Sequence, residues 1–296
     1  MSAEDRQSQL AREHRERQAK RAEQQAGTSK RNAVIGTVAA LVVAGGLVAG
    51  VTLLGGDDDA KPAAAATGSP SPATTPTAAP TPSLTAPAAP VDTTCSYTKD
   101  TSGSPMKFVG MPPKKPNLKL KTMTITTNHG VVEIELATAQ APCTVNSFAF
   151  LAKKNFFDGN KCHRLATPEN SGVGLLQCGD PQAKADGKNP TDGQGSAGYV
   201  YANENMEGAA YPKGVVAVAQ APDAVDQNGS QFWISMADDT NQVEKAYTPF
   251  GVVRKGMDVL EKIYAGGWIQ NPDDITGDGG STAPKLPVVI KDVKLS

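Results

Sequence analysis

Aromatic residues are scarce in this 296-residue chain, at 5% of positions, and none of its seven Phe, six Tyr and two Trp occurs before Tyr97. A stretch without them has little with which to build a packed core, so globular reasoning applies only beyond it. Strong net charge is also missing. The 29 Lys and Arg against 30 Asp and Glu leave −1, which supplies no global field for nucleic acid. Metal-binding signatures are missing too: there is no CxxC and no HExxH among four Cys and three His. His129 and His163 are the histidines available to join the thiols, but a Cys beside a His on a strand points to the opposite face. Asp273, Asp274 and Asp278 lack the ligand spacing of a calcium loop and read as a solvated turn. No metal and no cofactor is expected.

The first third of the chain is organised by composition. Residues 1–32 mix Arg12, Arg15, Arg17, Lys20 and Arg21 with Glu13, Glu16 and Glu23 and have no apolar face. They read as a solvated cytosolic tail, with a docking helix as the competing reading. Residues 33–54, AVIGTVAALVVAGGLVAGVTLL, hold no charge in 22 positions. At 1.5 Å per residue such a helix spans about 33 Å, close to the thickness of a hydrocarbon core. A cleaved signal peptide competes, with Ala63–Ala66 as a small-residue cleavage site. The apolar run and its leader are both longer than such a peptide needs, so an uncleaved anchor in the lipid bilayer is expected. Lys30 and Arg31 precede it and Asp57, Asp58 and Asp59 follow, which leaves the N-terminus cytosolic and the rest outside. Residues 55–116 contain a Pro/Ala/Thr-rich linker and a pre-domain segment. Proline favours extended chain, so this part reads as a spacer, with a Pro-rich partner ligand as the alternative.

A folded domain is expected over 117–296, about 180 residues, enough to bury one core. Residues 119–126 alternate as a strand, Asn128-His129-Gly130 is a turn, and 131–136 is its partner strand. Pro142 opens a helix with Val145, Phe148 and Leu151 on one buried face. Short strands follow around Cys162, Leu175, Tyr199, Val215, Phe232 and Phe250. A second helix runs from Gly256 to Tyr264, and residues 286–293 close the domain as a strand. The pattern predicts a mainly β fold: a closed eight-stranded antiparallel β-barrel capped by two α-helices. Cys95, Cys143, Cys162 and Cys178 all follow the apolar run, which fits an oxidising exterior and two disulfides. Three pairings are open. In one, Cys162 joins Cys178 across neighbouring strands, leaving Cys95 to meet Cys143.

Four stretches in sequence, FFDGNKCHRL, LLQCGD, NGSQFWI and TPFGVVRKGMDVLEKI, resemble in order and spacing those of the cyclophilin-type peptidyl-prolyl cis-trans isomerases. The tail, the apolar span and the paired cysteines resemble the membrane-anchored, extracytoplasmic bacterial members. The resemblance implies a cyclophilin-like barrel that binds proline-containing peptides and accelerates X–Pro rotation. It implies Arg164 as the catalytic arginine and Gln177 as the glutamine that orients it. The substrate-binding positions it implies are His163, Leu175, Ala219, Gln220, Trp233, Val243 and Tyr247. Gln231 reads as a structural amide. Three departures stand out. Gly174 occupies the place of a pocket-floor Phe, Gln242 that of a Trp, and Trp233 is bulkier than the usual Phe and could fill the space left at Gly174. They make a catalytically weak proline-peptide-binding or scaffold module the alternative function.

Overall fold

A computed structural model describes residues 92–189, 191–207, 209–221, 224–237, 243–270 and 282–296. The tail, the apolar run at 33–54 and the Pro-rich stretch lie outside the described residues, as do Gln242 and Asp273, Asp274 and Asp278. Among the described residues no helix is long and apolar enough to cross a membrane.

Alternation writes the first hairpin. Strands β2 (Thr122–Thr127) and β3 (Val131–Leu136) pair from Thr122↔Glu135 to Thr126↔Val131, with Asn128, His129 and Gly130 between them. Met123, Ile125, Val132, Ile134 and Leu136 all point to one buried face. Helix α1 (Pro142–Lys153) begins at the proline, whose missing N–H is not needed there, and buries Val145, Phe148 and Leu151. Two of its free amides are satisfied from far along the chain. Glu204 accepts from Cys143 N at 3.0 Å, Thr144 N at 2.7 Å and Thr144 Oγ1 at 2.8 Å. Burial pushes the Glu204 carboxyl up despite these bonds.

The remaining strands are β4 (Arg164–Ala166), β5 (Leu175–Cys178), β7 (Val215–Val218), β8 (Phe232–Ser235), β9 (Pro249–Lys255) and β12 (Ile290–Leu295). With the hairpin they form one eight-stranded antiparallel sheet in the order β12-β2-β3-β9-β7-β8-β5-β4. Two two-stranded ribbons, β1 (Thr98–Lys99) with β6 (Tyr199–Val200) and β10 (Trp268–Ile269) with β11 (Ala283–Pro284), lie outside it. Helix α3 (Met257–Ala265) lies one residue later than expected, behind Gly256 at φ 83°, and a four-residue helix α2 (Pro168–Ser171) was not expected at all.

The expected closed barrel is corrected to a curled, open sheet. Edge strands β12 and β4 share no ladder. The strand expected around Cys162 begins only at Arg164, because the chain turns through Phe157–Asn160 with Gly159 at φ 79°. What crosses the gap is the single bridge Lys161↔Val289 and a few backbone bonds, such as Cys162 N to Val288 O at 3.1 Å.

The sheet's inner face and α1 enclose the core. Phe148 meets Phe157, Phe232 and Phe250 with ring centroids 5.7, 5.7 and 4.5 Å apart. Of the three cysteine pairings left open, the structure takes Cys162–Cys178 and Cys95–Cys143. The second fastens the leading segment to the start of α1. Tyr97 reinforces it, donating to Cys143 O at 2.8 Å. By chain-entropy reasoning, closing loops of 16 and 48 residues contributes about 3 and about 4 kcal/mol.

Candidate active site

The period-2 pattern that fills the core puts a second set of side chains on the sheet's outer face. Leu165, Leu176, Phe232, Ile234, Val216 and Val218 point inward. Their neighbours Ala166, Leu175, Trp233, Val215 and Ala217 form a separate outer cluster, with Val173, Ala219, Val243 and Tyr247 packed against it. Strand register then aligns one row across four strands: Arg164 opposite Gln177, Gln177 opposite Trp233, Trp233 opposite Ala217. With strands about 4.8 Å apart, Arg164 and Trp233 stand about 10 Å from each other on one face. One end of the row is cationic and hydrogen-bonding; the other is apolar and aromatic.

The polar end is wired through amides. Arg164 Nη1 donates to Gln177 Oε1 at 3.3 Å, and Gln177 Nε2 donates to Gln231 Oε1 at 2.9 Å. Gln231 Nε2 in turn donates to the carbonyls of Gly193 and Gly195 at 2.8 and 2.9 Å. Gln231 is therefore the structural amide expected of it, and it ties the row to the 180–195 loop. That loop is built around Asp180, which accepts from the backbone amides of Gln182, Gly193 and Gly195 at 2.8, 2.7 and 3.2 Å. A Cβ at Gly195 would collide with the Asp180 carboxylate, so no larger residue fits there. On the inner side the Cys162–Cys178 disulfide clamps the segment leading into β4 to the end of β5, next to the Arg164–Gln177 pair. On the outer edge Leu165 bonds both ways with Thr282, its N donating to Thr282 O at 2.5 Å and its O accepting from Thr282 Oγ1 at 2.8 Å.

The apolar end is an aromatic trio. The Trp233 ring lies 5.1 Å from Tyr211 and 5.7 Å from Tyr247, and is 3% exposed. The Tyr211 hydroxyl donates to Tyr247 O at 2.7 Å and accepts from Tyr247 N at 3.0 Å. Burial pushes that hydroxyl up to about 12, so it stays protonated as this double bond requires. Gln220 Nε2 donates to Ala246 O at 2.8 Å and so closes the neighbouring loop from behind. Gly174 leaves no hole in this wall. A Cβ there would lie 2.7 Å from Ala237 Cβ and 3.0 Å from Tyr264 Oη, so the Ala237 and Tyr264 side chains already occupy the space. Trp233 packs with the tyrosines beside it.

The structure thus brings Arg164, Gln177, Leu175, Trp233, Ala219, Val243 and Tyr247 to one face, with Gln220 bracing the loop next to it. His163 is different. It is 1% exposed, and among the described residues neither ring nitrogen has a hydrogen-bond partner. Burial holds its imidazole below the usual value against the pull of Asp180 and Asp192, with Arg164 adding to the depression. Sequence reasoning missed Tyr211, Gly193 and Gly195. The glycines carried a signal in the DGQG stretch, whereas Tyr211 looked like any core aromatic.

Residues 122–295 match the family described as cyclophilin type peptidyl-prolyl cis-trans isomerase/CLD. The chain is 33% identical over 220 residues to a probable peptidyl-prolyl cis-trans isomerase B of Mycobacterium leprae, covering 68% of this chain and 66% of that protein. It is 34% identical over 187 residues to the protein of the same description from Mycobacterium tuberculosis, covering 59% and 54%. It therefore spans less than two thirds of the length of both. A cyclophilin type isomerase of Cryptosporidium parvum, crystallised in the presence of the dipeptide ala-pro, aligns at 23% identity and a TM-score of 0.47, covering 60% of this chain and 99% of that one. The family match runs from the first strand of the hairpin to the last strand of the sheet and takes in the whole row from Arg164 to Ala217, so the chain belongs to the cyclophilin type peptidyl-prolyl cis-trans isomerase family.

Proposed function

We propose that this chain accelerates cis–trans rotation about X–Pro bonds in proteins outside the cytosol, held at the membrane by the span expected at 33–54. The observation that carries the activity is the row joining Arg164 and Gln177 to Trp233 on one face. An X–Pro bond is a tertiary amide whose rotation barrier is near 20 kcal/mol, so it turns over in tens of seconds unaided. Twisting it breaks resonance and localises the lone pair on nitrogen. A fixed cationic donor stabilises that twisted state more than either planar one. Arginine suits this role, being always charged, planar and many-donored. Gln177 restrains Arg164 and Gln231 restrains Gln177, so little reorganisation is needed as the bond turns. The apolar end, with Leu175, Trp233, Val243 and Tyr247, receives the proline ring, and Ala219 offers main chain to the peptide. His163, out of reach of a peptide, serves beneath the site and not on it. The chemistry needs no nucleophile and no cofactor.

Exchange spectroscopy by NMR on an Ala-Pro peptide tests this with the purified, disulfide-intact protein. Arg164→Ala should lower the catalysed exchange by about 10²-fold, the scale for removing one transition-state donor. Unchanged exchange would sink the mechanism. A second reading, a proline-peptide-binding module with weak catalysis, is favoured by the tight packing of Trp233 and the occupied space at Gly174. Binding with no catalysed exchange in the wild type would select it.

The extracytoplasmic placement is supported by two disulfides that use all four cysteines, as expected where thiols oxidise. Protease protection in intact and opened cells tests it. Cleavage of the domain only after opening would overturn it.

A further inference from the structure

Five large apolar side chains stand exposed among the described residues: Met106, Phe108, Met111, Val131 and Val225. Three of them fall within residues 106–111, with Phe108 at 55% exposure, Met111 at 39% and Met106 at 37%. They are held outward by the main chain beneath them. Lys107 N donates to Ser196 O at 3.0 Å, and Ser196 N donates to Pro105 O at 2.9 Å. Met106 and Phe108 lie across Gly198, where a Cβ would come within 3.3 Å of the Met106 sulfur and 3.0 Å of the Phe108 ring. Lys107, between them, turns inward, and its Nζ donates to Phe156 O at 3.0 Å. Next to Met111, Gly110 presses against the half-buried Phe150 ring, which carries Lys154 Nζ at 5.8 Å from its centroid.

Along the sequence the charge that follows Asp100, which accepts from Ser196 Oγ at 2.6 Å, has one sign. Residues 101–132 contain five Lys and neither Asp nor Glu, although the whole chain is nearly neutral. Lys114 and Lys115 follow Met111 closely and are exposed, as is Lys154. All these cations are lysines. Protein–protein interfaces are depleted in Lys and enriched in Arg, Tyr and Trp. A few inserting apolar side chains beside solvated lysines are instead what the headgroup layer of an anionic bilayer accommodates. The strip also belongs to the segment by which residues 1–91 join the folded body.

We propose that Met106, Phe108 and Met111, with Lys114, Lys115 and Lys154, form a docking surface for a bilayer that carries anionic phospholipid. The apolar side chains enter the headgroup boundary and the lysines meet lipid phosphates. Each lysine near such a surface raises association about fivefold, so three give about 10²-fold, an effect that salt removes. Where the chain is also tethered to that bilayer, high local concentration makes even this weak face effective. Docking of this face does not depend on catalysis.

Lysine acetylation read by mass spectrometry tests it with the full chain in bilayer discs of phosphatidylcholine alone or mixed with phosphatidylglycerol. In the anionic discs at low salt, Lys114, Lys115 and Lys154 should label about fivefold more slowly than in neutral discs, while Lys184, Lys188 and Lys291 label alike in both. High salt, or Phe108→Ser with Met111→Ser, should return the protected lysines toward their neutral-disc rates. Equal labelling in the two discs would overturn the proposal. So would protection by soluble polyglutamate but not by anionic discs, which would assign the face to an acidic macromolecule.

Discussion

The two faces of strands β5 and β8 carry residues of nearly the same size under opposite demands. Inward, Leu176, Phe232 and Ile234 meet only other apolar groups, and their neighbours are interchangeable in chemistry if not in shape. Outward, Gln177 and Trp233 sit one pleat away in the same row as Arg164, and each has a particular partner at a particular distance. A sheet whose inner side is sealed by helix α1 thus leaves its outer side free for chemistry. On the proposed function, stability and activity are written on alternate residues of the same short strands, and substitutions one position apart should report on different properties.

The sharpest way to break that contrast is to empty the inner face. Phe148→Ala removes a fully buried ring with three aromatic neighbours and should cost about 3–5 kcal/mol in urea denaturation. Peptide exchange by the fraction still folded should be little changed. If exchange per folded molecule fell as far as in Arg164→Ala, the two faces would not be separable. Next in size is the clamp between the faces. Cys162→Ala with Cys178→Ala should lower stability by about 3 kcal/mol. Because the clamp sits beside the Arg164–Gln177 pair, it should also lower exchange several-fold, unlike Phe148→Ala. Smaller again is Tyr211→Phe, which removes one hydroxyl that both donates to and accepts from Tyr247. A stability loss of about 1 kcal/mol is expected, with peptide affinity, read by titration calorimetry, weakened through a loosened Tyr247.

A last effect, set by proton linkage, is that of pH at His163. Its folded-state value lies below the ordinary 6.5, so between the two values the unfolded chain binds more protons than the folded one. Its contribution to stability is therefore complete above about pH 6.5 and declines as the pH falls below it, by at most about 1.4 kcal/mol per pH unit. Denaturation midpoints of wild type and His163→Gln between about pH 6.5 and 5 should diverge accordingly. Parallel midpoints would show that the imidazole is already solvated.

Legibility in the sequence followed the range of the interactions. Strand β3 and the start of helix α1 appear where they were expected because their signals are local: alternation, an Asn-His-Gly turn, a proline at the first helical position; β2 begins three residues later than the expected 119–126. The row of site residues was legible only through resemblance, since nothing local says that Arg164, Gln177 and Trp233 fall opposite one another. Glu204 capping α1 was invisible, because its partners lie 60 and 61 residues earlier. Ribbons of two residues, such as β10–β11, carry too little pattern to be seen. Counting strands predicts a closed barrel but does not say whether the two edge strands share a ladder, and here β12 and β4 do not. His163 adjoins Arg164 in sequence, but it is buried under the 180–195 loop beside Gly193, a contact that no local signal announces.

The bond between Cys95 and Cys143 also sets where a pull on the leading chain would be felt. Tension arriving at residue 95 passes through sulfur to the start of α1, and the 48-residue loop between them, hairpin included, is left out of the covalent load path. Stretching the folded body from its two ends could never release that loop, which at about 3.5 Å per residue withholds about 170 Å of extension. Reduction of this one bond would put the hairpin under load, so the thiol chemistry of the surroundings decides how far the body lengthens before it gives way.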